Sequence, residues 1–122
     1  MPHKILIVED DKFVRELIFQ KLTEEKFNVS AAKDGEEGVE KAESEKPDLI
    51  LLDLILPGID GFEVISRIRK NKTIEAIPII ILSNLGEKGD VDRGIKLGAN
   101  DYMIKAHFTP KEIVEKVRSI LK

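Results

Sequence analysis

The sequence of 122 residues contains no cysteine. Neither a disulfide framework nor a thiolate metal site can therefore form. No apolar run is long enough to span a membrane, and the first residues lead into an apolar segment without a signal-peptide pattern. A formal net charge of -3 does not favour a basic face for nucleic acid. These absences favour a soluble cytoplasmic protein that binds neither membrane nor nucleic acid directly.

The length is sufficient for one domain and too short for two ordinary ones. Hydrophobic residues make up 42% of the chain, which is normal for a globular protein with one core. No internal linker, low-complexity tract or repeat interrupts the sequence. We therefore expect one domain over residues 1–122.

Five segments have the length and composition of strands. Three are continuously aliphatic, Ile5–Val8, Leu49–Leu52 and Ile79–Leu82. Such runs suit strands of a parallel sheet that are covered on both faces. Two runs of mixed polarity, Phe27–Ala32 and Asp101–Ile104, are predicted to be the edge strands.

Helical patterns separate these strands. Asp34, Asp60 and Thr109 each stand three residues before a glutamate, which is the spacing of an N-terminal capping box. A short fourth helix over Val91–Leu97 contains Gly94 and is predicted to be the softest element. The first helix is predicted from an apolar stripe formed by Val14, Leu17, Ile18 and Leu22.

The predicted elements alternate between strand and helix about five times. This order indicates an α/β fold, a doubly wound parallel sheet with about five helices on its two faces. Placing the three aliphatic strands at the centre gives the strand order 2-1-3-4-5. In such a sheet ligands bind beyond the carboxyl ends of the strands, at the switch point between strands 1 and 3.

Acidic residues follow both strands that flank the switch point. Glu9, Asp10 and Asp11 come directly after strand 1, and Asp53 comes directly after strand 3. Two carboxylates about 4 Å apart repel by about 4 kcal/mol at an effective dielectric constant of 20, so the cluster needs protons or a cation. Hard oxygen ligands with open positions suit Mg²⁺. No glycine-rich phosphate loop follows strand 1, which argues against a nucleotide site.

Two further strand ends point to the same crevice. Strand 4 ends at Ser83, which offers a hydroxyl, and strand 5 ends at Lys105, which offers an ammonium. A carboxylate nucleophile, a metal site, a hydroxyl and an ammonium are the groups that phosphoryl transfer requires. Any one of them alone would more often be an ordinary loop or surface residue.

Over nearly its whole length the sequence resembles the receiver domains of two-component response regulators. The resemblance rests on four motifs in order: ILIVEDD (Ile5–Asp11), PDLILLDLILPGIDGFEVI (Pro47–Ile65), PIIILSN (Pro78–Asn84) and GANDYMIK (Gly98–Lys105). It implies a signalling module that accepts a phosphoryl group from a phosphohistidine on a histidine kinase or phosphotransfer protein. The surface of helix 4, strand 5 and helix 5 would change in response and act on a downstream protein target or on an output domain missing from this chain.

The resemblance also assigns roles to individual residues. Asp53 would be the phosphoacceptor, and the magnesium would be held by Asp10, Asp53 and the Ile55 carbonyl, with Glu9 acting through water. Ser83 and Lys105 would bind the phosphoryl oxygens. Ser83 and Tyr102 would be the switch residues, although a tyrosine there also suits an ordinary half-buried edge strand.

The sequence departs from the usual receiver pattern near the site. Ala106 stands where a proline commonly follows the lysine, so we predict a trans Lys105–Ala106 peptide bond, with Phe108 still packed inward. Asn84 replaces an often small residue. Ile55 and Leu85 flank the expected path of the hydrolytic water and cannot hydrogen-bond to it through their side chains, which predicts slow self-dephosphorylation.

Two other functions compete with the signalling hypothesis. A small phosphatase with an aspartyl-phosphate intermediate usually has a second aspartate two residues after the nucleophile, where this chain has Ile55. A pseudo-receiver that only binds a partner typically lacks the acceptor or the acidic pair, and this chain has both. We therefore expect a phosphoacceptor domain that assists its own phosphorylation and dephosphorylation, and not an enzyme.

Two features of the sequence carry no functional assignment. His3 and His107 are not expected to bind a metal, because neither has a second ligand at a sensible spacing. Both are expected to be exposed. The chain ends soon after helix 5 without an output domain, which fits both a stand-alone regulator and a fragment of a longer regulator or hybrid kinase.

Overall fold

The fold is described from a computed structural model for residues 2–121. Five strands form one sheet: β1 (Lys4–Val8), β2 (Asn28–Ala32), β3 (Leu49–Leu52), β4 (Ile79–Ser83) and β5 (Asp101–Ile104). The helices are α1 (Lys12–Glu24), α2 (Gly35–Glu45), α3 (Gly61–Lys70), α4 (Lys88–Leu97) and α5 (Pro110–Leu121). A short 3₁₀ turn, Lys105–His107, leads from β5 towards α5.

All neighbouring strands are parallel, and the strand order is β2-β1-β3-β4-β5. The α/β fold class, the strand order and the two edge strands are therefore confirmed. Since β1 pairs with both β2 and β3, the chain reverses its direction of travel across the sheet between β2 and β3. The carboxyl ends of β1 and β3 lie side by side at this switch point.

Successive side chains of the central strands point to opposite faces of the sheet and so divide the core into two layers. Leu6 and Val8 of β1 face a layer that includes apolar residues of α2 and α3, and Ile5 and Ile7 face a layer that includes apolar residues of α1 and α5. β3 and β4 alternate in the same way. The central strands are thus buried on both faces, which is the reason why their sequences are continuously apolar.

Acidic and hydroxyl side chains cap four of the helices, and three of these caps were predicted. Asp34 Oδ1 accepts from the Glu37 N–H at 2.8 Å. Asp60 caps α3 in the same way. Thr109 and Glu112 form a reciprocal capping box, in which each backbone N–H donates to the other side chain. The fourth cap, Asp11 on α1, was not predicted.

The structure corrects two details of the predicted helices. Leu17 was predicted to lie in the apolar stripe of α1, but its side chain is 45% exposed. The buried stripe consists of Ile18 and Leu22, which are one turn apart and pack against the layer shared with α5. The fourth helix starts at Lys88, three residues before the predicted Val91. The residues 88–90 include no apolar side chain that a periodic pattern could detect.

A guanidinium group joins the loops at the amino ends of β4 and β5. Arg69, near the end of α3, donates to the carbonyls of Gly98, Glu75 and Ile77 and to Asn100 Oδ1. Its hydrogen bonds are 2.8–3.1 Å long. Burial lowers the pKa of Arg69 from its ordinary value. This arrangement ties the end of α3 to the segments that lead into two strands.

The peptide bond after Lys105 is trans, and no cis peptide bond occurs between residues 2 and 121. The predicted trans Lys105–Ala106 bond is therefore confirmed. Phe108 packs against the layer of α1 and α5, as predicted, and His3 and His107 are exposed. Across the described part of the chain, none of the helices combines the length and apolarity that a membrane crossing requires.

Candidate functional site

Backbone hydrogen bonds extend the sheet into the loops that carry the acidic residues. The Glu9 N–H donates to the Ala32 carbonyl, and the Asp53 N–H donates to the Val8 carbonyl, both at 3.0 Å. Each bond continues the pairing of a strand by one residue. Glu9 and Asp53 therefore occupy positions fixed by the sheet and not by flexible loops.

Three carboxylates meet at this end of the sheet. One oxygen atom from each of Glu9, Asp10 and Asp53 lies within 4.8 Å of the other two. Glu9 and Asp53 are only 3% and 6% exposed, whereas Asp10 is exposed. Burial of like charges in this way needs a compensating cation. Hard oxygen atoms from three acidic side chains, with access from solvent on the Asp10 side, fit a magnesium ion.

The ammonium group of Lys105 lies against the two buried carboxylates. Its Nζ atom is 2.5 Å from Glu9 Oε1 and 3.0 Å from Asp53 Oδ2. The 3₁₀ turn that begins at Lys105 thus sends this side chain back across the ends of β1 and β3. Lys105 therefore reaches the crevice with a trans peptide bond after it.

Electrostatics shift the pKa values of two of these groups. Burial raises the pKa of Glu9, and the nearby Asp53 charge adds to the increase, while the hydrogen bond from Lys105 opposes it. For Lys105, burial alone would lower the pKa, but hydrogen bonds to Glu9 and Asp53 outweigh burial and raise it. The ammonium is therefore held in its charged form beside the carboxylates.

The structure also positions the two predicted switch residues. Ser83 is fully buried at the end of β4, and its hydroxyl accepts from the Leu85 N–H at 3.3 Å. Tyr102 in β5 is half-buried, packs against the α2–α3 layer, and donates its hydroxyl hydrogen to the Leu85 carbonyl. Burial raises the pKa of the Tyr102 hydroxyl. Both residues therefore contact the loop between β4 and α4.

Two apolar residues lie in the loops that follow β3 and β4. Ile55 follows β3 by three residues and is 58% exposed, and its N–H donates to Asp53 Oδ1 at 3.3 Å. Leu85 is half-buried in the loop after β4, next to the exposed Asn84. The metal contact expected of the Ile55 carbonyl remains a prediction.

Two residues near the site have roles that the sequence analysis did not find. Asp11 belongs to the acidic run, but its side chain caps α1 by accepting from the Val14 N–H, and its own N–H donates to Glu9 Oε2. Arg15 donates from Nη1 to the carbonyls of both Glu9 and Asp10. A capping aspartate before a helix could have indicated the first role, but no local pattern predicts the second.

Comparison with known proteins identifies the family. The family model "Response regulator receiver domain" matches residues 5–118. The chain is a receiver domain of a two-component response regulator. It is 43% identical, over its whole length, to the alkaline phosphatase synthesis transcriptional regulatory protein PhoP of Bacillus subtilis, and 40% identical over 98% of its length to the transcriptional regulatory protein ResD of the same species.

A solved structure agrees with this assignment. The BeF₃-activated N-terminal receiver domain of RstA from Klebsiella pneumoniae has a TM-score of 0.89 and 33% sequence identity, with 98% of each chain covered. The receiver chain described here spans only about half the length of the curated relatives that it matches, namely 50% of PhoP and 48% of ResD.

Proposed function

We propose that this receiver domain accepts a phosphoryl group on Asp53 in the presence of magnesium. The observation that carries the proposal is the position of Lys105, whose ammonium contacts both Asp53 and Glu9. A buried carboxylate beside a fixed ammonium, at the switch point of a doubly wound sheet, matches the requirements of phosphoryl transfer to an aspartate.

Asp53 is the best candidate for the nucleophile among the three carboxylates. Glu9 lies deepest and is held by Lys105 and by the Asp11 N–H. Asp10 is exposed and lies on the solvent side. Asp53 is buried but slightly more exposed than Glu9, and its two oxygen atoms are differently engaged: Oδ1 accepts from the Ile55 N–H and Oδ2 contacts Lys105.

The transfer reaction forms one bond and breaks one bond. A carboxylate oxygen of Asp53 attacks phosphorus, and the bond between phosphorus and the imidazole nitrogen of the donor phosphohistidine breaks. The electron pair of that bond remains on the imidazole nitrogen, which then takes up a proton. The product is an acyl phosphate on Asp53, and Lys105 would contact one of its oxygen atoms.

Glu9, Asp10 and Asp53 would hold the magnesium ion. When bound, the ion supplies positive charge that offsets both the carboxylates and the incoming phosphoryl oxygens. The carboxylates satisfy the oxygen-ligand preference of magnesium, and the exposed side of Asp10 leaves room for water ligands. The chain itself contributes the Lys105 ammonium and the Ser83 hydroxyl as further contacts for the phosphoryl group.

The output of the domain is proposed to pass through the loop between β4 and α4. Ser83 would turn its hydroxyl towards the phosphoryl group and give up its contact with the Leu85 N–H. Tyr102 holds the carbonyl of the same residue, so the two contacts are linked through one loop. The altered surface of α4, β5 and α5 would act on a downstream protein or an output domain, and a histidine kinase or phosphotransfer protein would be the donor.

The domain is proposed to act as a phosphoacceptor and not as an enzyme with turnover on an external substrate. A phosphatase with an aspartyl-phosphate intermediate needs an acid near the nucleophile that can protonate a leaving group. The residue two after Asp53 is Ile55, whose apolar side chain points to solvent with 58% exposure. This arrangement offers no such acid at that position.

Mass spectrometry after treatment with a small acyl-phosphate donor and magnesium tests the proposal. The wild-type protein should gain the mass of one phosphoryl group, and Asp53→Asn should not. Circular dichroism of Asp53→Asn should show an unchanged fold. Asp48→Asn, a change at an exposed aspartate that precedes β3, provides a charge-matched control that should still be labelled. Labelling of Asp53→Asn equal to the wild type would overturn the assignment.

A further inference from the structure

Of the three carboxylates at the proposed metal site, Asp10 is the least restrained by its own contacts. Lys105 and the Asp11 N–H hold the Glu9 side chain, and Lys105 and the Ile55 N–H hold Asp53. The Asp10 carboxylate is exposed and makes no hydrogen bond within residues 2–121 in this structure. The direction of its side chain therefore depends on the backbone of the loop between β1 and α1.

Arg15 restrains that backbone through two hydrogen bonds. Its Nη1 atom donates to the Glu9 carbonyl at 2.9 Å and to the Asp10 carbonyl at 3.2 Å. These two carbonyls belong to the peptide groups on either side of the Asp10 α-carbon. When both peptide groups are held, the direction of the bond from the α-carbon of Asp10 to its side chain is held as well.

The position of Arg15 within α1 makes this contact stable. Arg15 lies in the first turn of the helix, and its own N–H donates to the Asp11 carbonyl. Asp11 in turn caps the helix. The guanidinium therefore reaches back from a regular, capped helical turn to the irregular loop before it. A half-buried arginine in this position restrains the loop with little further loss of side-chain freedom.

We infer that Arg15 is a positioning residue for the magnesium site, acting through the backbone of Glu9 and Asp10. This inference rests on the proposed function. Arg15 does not contact the metal or the phosphoryl group, and its positive charge alone would weaken cation binding. The two effects have opposite signs, so the direction of the change in magnesium affinity distinguishes them. If positioning dominates, removal of Arg15 weakens magnesium binding, by roughly tenfold as for other supporting residues around metal sites.

The test compares Arg15→Ala, Arg15→Lys and wild type by isothermal titration with magnesium chloride. We expect Arg15→Ala to bind magnesium about tenfold more weakly. We expect Arg15→Lys to recover most of the affinity, because a single nitrogen makes both hydrogen bonds. Arg118→Ala is the charge-matched control, since Arg118 pairs with Glu25 at the opposite end of the sheet, and it should leave magnesium affinity unchanged.

Two further measurements separate positioning from a general loss of stability. In metal-free protein, amide exchange should speed up in the segment between β1 and α1 of Arg15→Ala and remain unchanged in α5. In urea unfolding of metal-free Arg15→Ala, the free energy of unfolding should change by a smaller fraction than the magnesium affinity does. Any of three results would overturn the inference. Arg15→Ala could bind magnesium as tightly as the wild type or more tightly, its loss of magnesium affinity could parallel its loss of global stability, or Arg15→Lys could fail to recover magnesium affinity. If wild type itself shows no magnesium binding that Asp10→Asn removes, the proposed function fails instead.

Discussion

The two ends of the parallel sheet satisfy their charged groups in opposite ways. At the amino ends of β4 and β5, the guanidinium of Arg69 is surrounded by carbonyl and amide oxygens that accept all of its hydrogen bonds. At the carboxyl ends of β1 and β3, three carboxylates lie close together, and one ammonium contacts two of them. The first end matches donors to acceptors, and the second leaves an excess of negative charge.

This difference separates stability from function within one small domain. Buried groups with complete hydrogen bonding stabilise the fold, and removal of one partner leaves the others unsatisfied. Carboxylates held close together destabilise the fold until a cation binds. We therefore expect substitutions at the amino end to lower stability, and neutralisation at the carboxyl end to raise it while abolishing chemistry.

The largest effect on stability is expected at the amino end. Arg69→Ala would leave the Gly98, Glu75 and Ile77 carbonyls without their donor and should lower the free energy of unfolding by about 2–4 kcal/mol. Arg67→Ala on the same helix is the control, because its ion pairs with Glu63 and Glu36 are exposed and should contribute little to stability. Urea unfolding measures both. Equal losses in the two variants would contradict the proposed contrast between the ends.

The next effect concerns hydrolysis of the acyl phosphate at the carboxyl end. Ile55→Asn combined with Leu85→Glu would place hydrogen-bonding groups beside the path of the attacking water. We expect dephosphorylation to become about tenfold faster, which corresponds to about 1.4 kcal/mol in the barrier. Loss of label is followed by mass spectrometry after removal of the donor. Leu17→Asn on α1 serves as an exposed control. An unchanged rate in the double variant would show that these two side chains do not limit hydrolysis.

A smaller effect is expected from neutralisation of one carboxylate. Asp10→Asn should raise the stability of the metal-free protein by about 1 kcal/mol, since water screens this exposed residue from Glu9 and Asp53. The same change should remove most of the increase in melting temperature that magnesium gives to the wild type. Thermal unfolding with chelator and with magnesium measures both effects. If magnesium stabilises both proteins equally, the ion binds elsewhere.

The smallest effect is a shallow dependence of stability on pH. The folded protein raises the pKa of Glu9 above the ordinary value of 4.5, mainly through burial, so it binds this proton more tightly than the unfolded chain does. Stability of the metal-free protein should therefore fall as pH rises from 4.5 through the folded pKa of Glu9. Glu9→Gln should remove this part of the profile. The difference between the two urea-unfolding profiles measures it, and parallel profiles would contradict the assignment.

Most of the fold was predictable because it depends on local patterns. The bounds of β3 and β5 agree with their predicted segments. A continuous aliphatic run marks β3, and a short run of mixed polarity marks β5. The predicted caps Asp34, Asp60 and Thr109 were confirmed for the same reason. The exposure of Leu17 was not predictable, because a periodic pattern indicates a helix face but not how wide a strip its neighbours cover.

The candidate site was predictable in its residue types but not in its supporting contacts. Strand ends in a parallel sheet lie at one edge, so Asp53, Ser83 and Lys105 could be grouped from the sequence. The contacts of Arg15 and Arg69 could not be predicted from the sequence. Every residue has a backbone carbonyl, so the identity of a residue does not indicate whether a guanidinium binds its carbonyl. The contact between Arg69 and Gly98 spans 29 positions and depends on the packed fold.

The pairing of Lys105 with Asp53 also has a consequence for the order of folding. The two residues are 52 positions apart, and Lys105 follows the last strand of the sheet. As the chain emerges from the ribosome, Glu9 and Asp53 are available before the ammonium that compensates them. We therefore expect β1 and β3 to become fully protected only when β5 has joined the sheet. Pulse-labelled amide exchange during refolding would show this as simultaneous protection of the first and last strands.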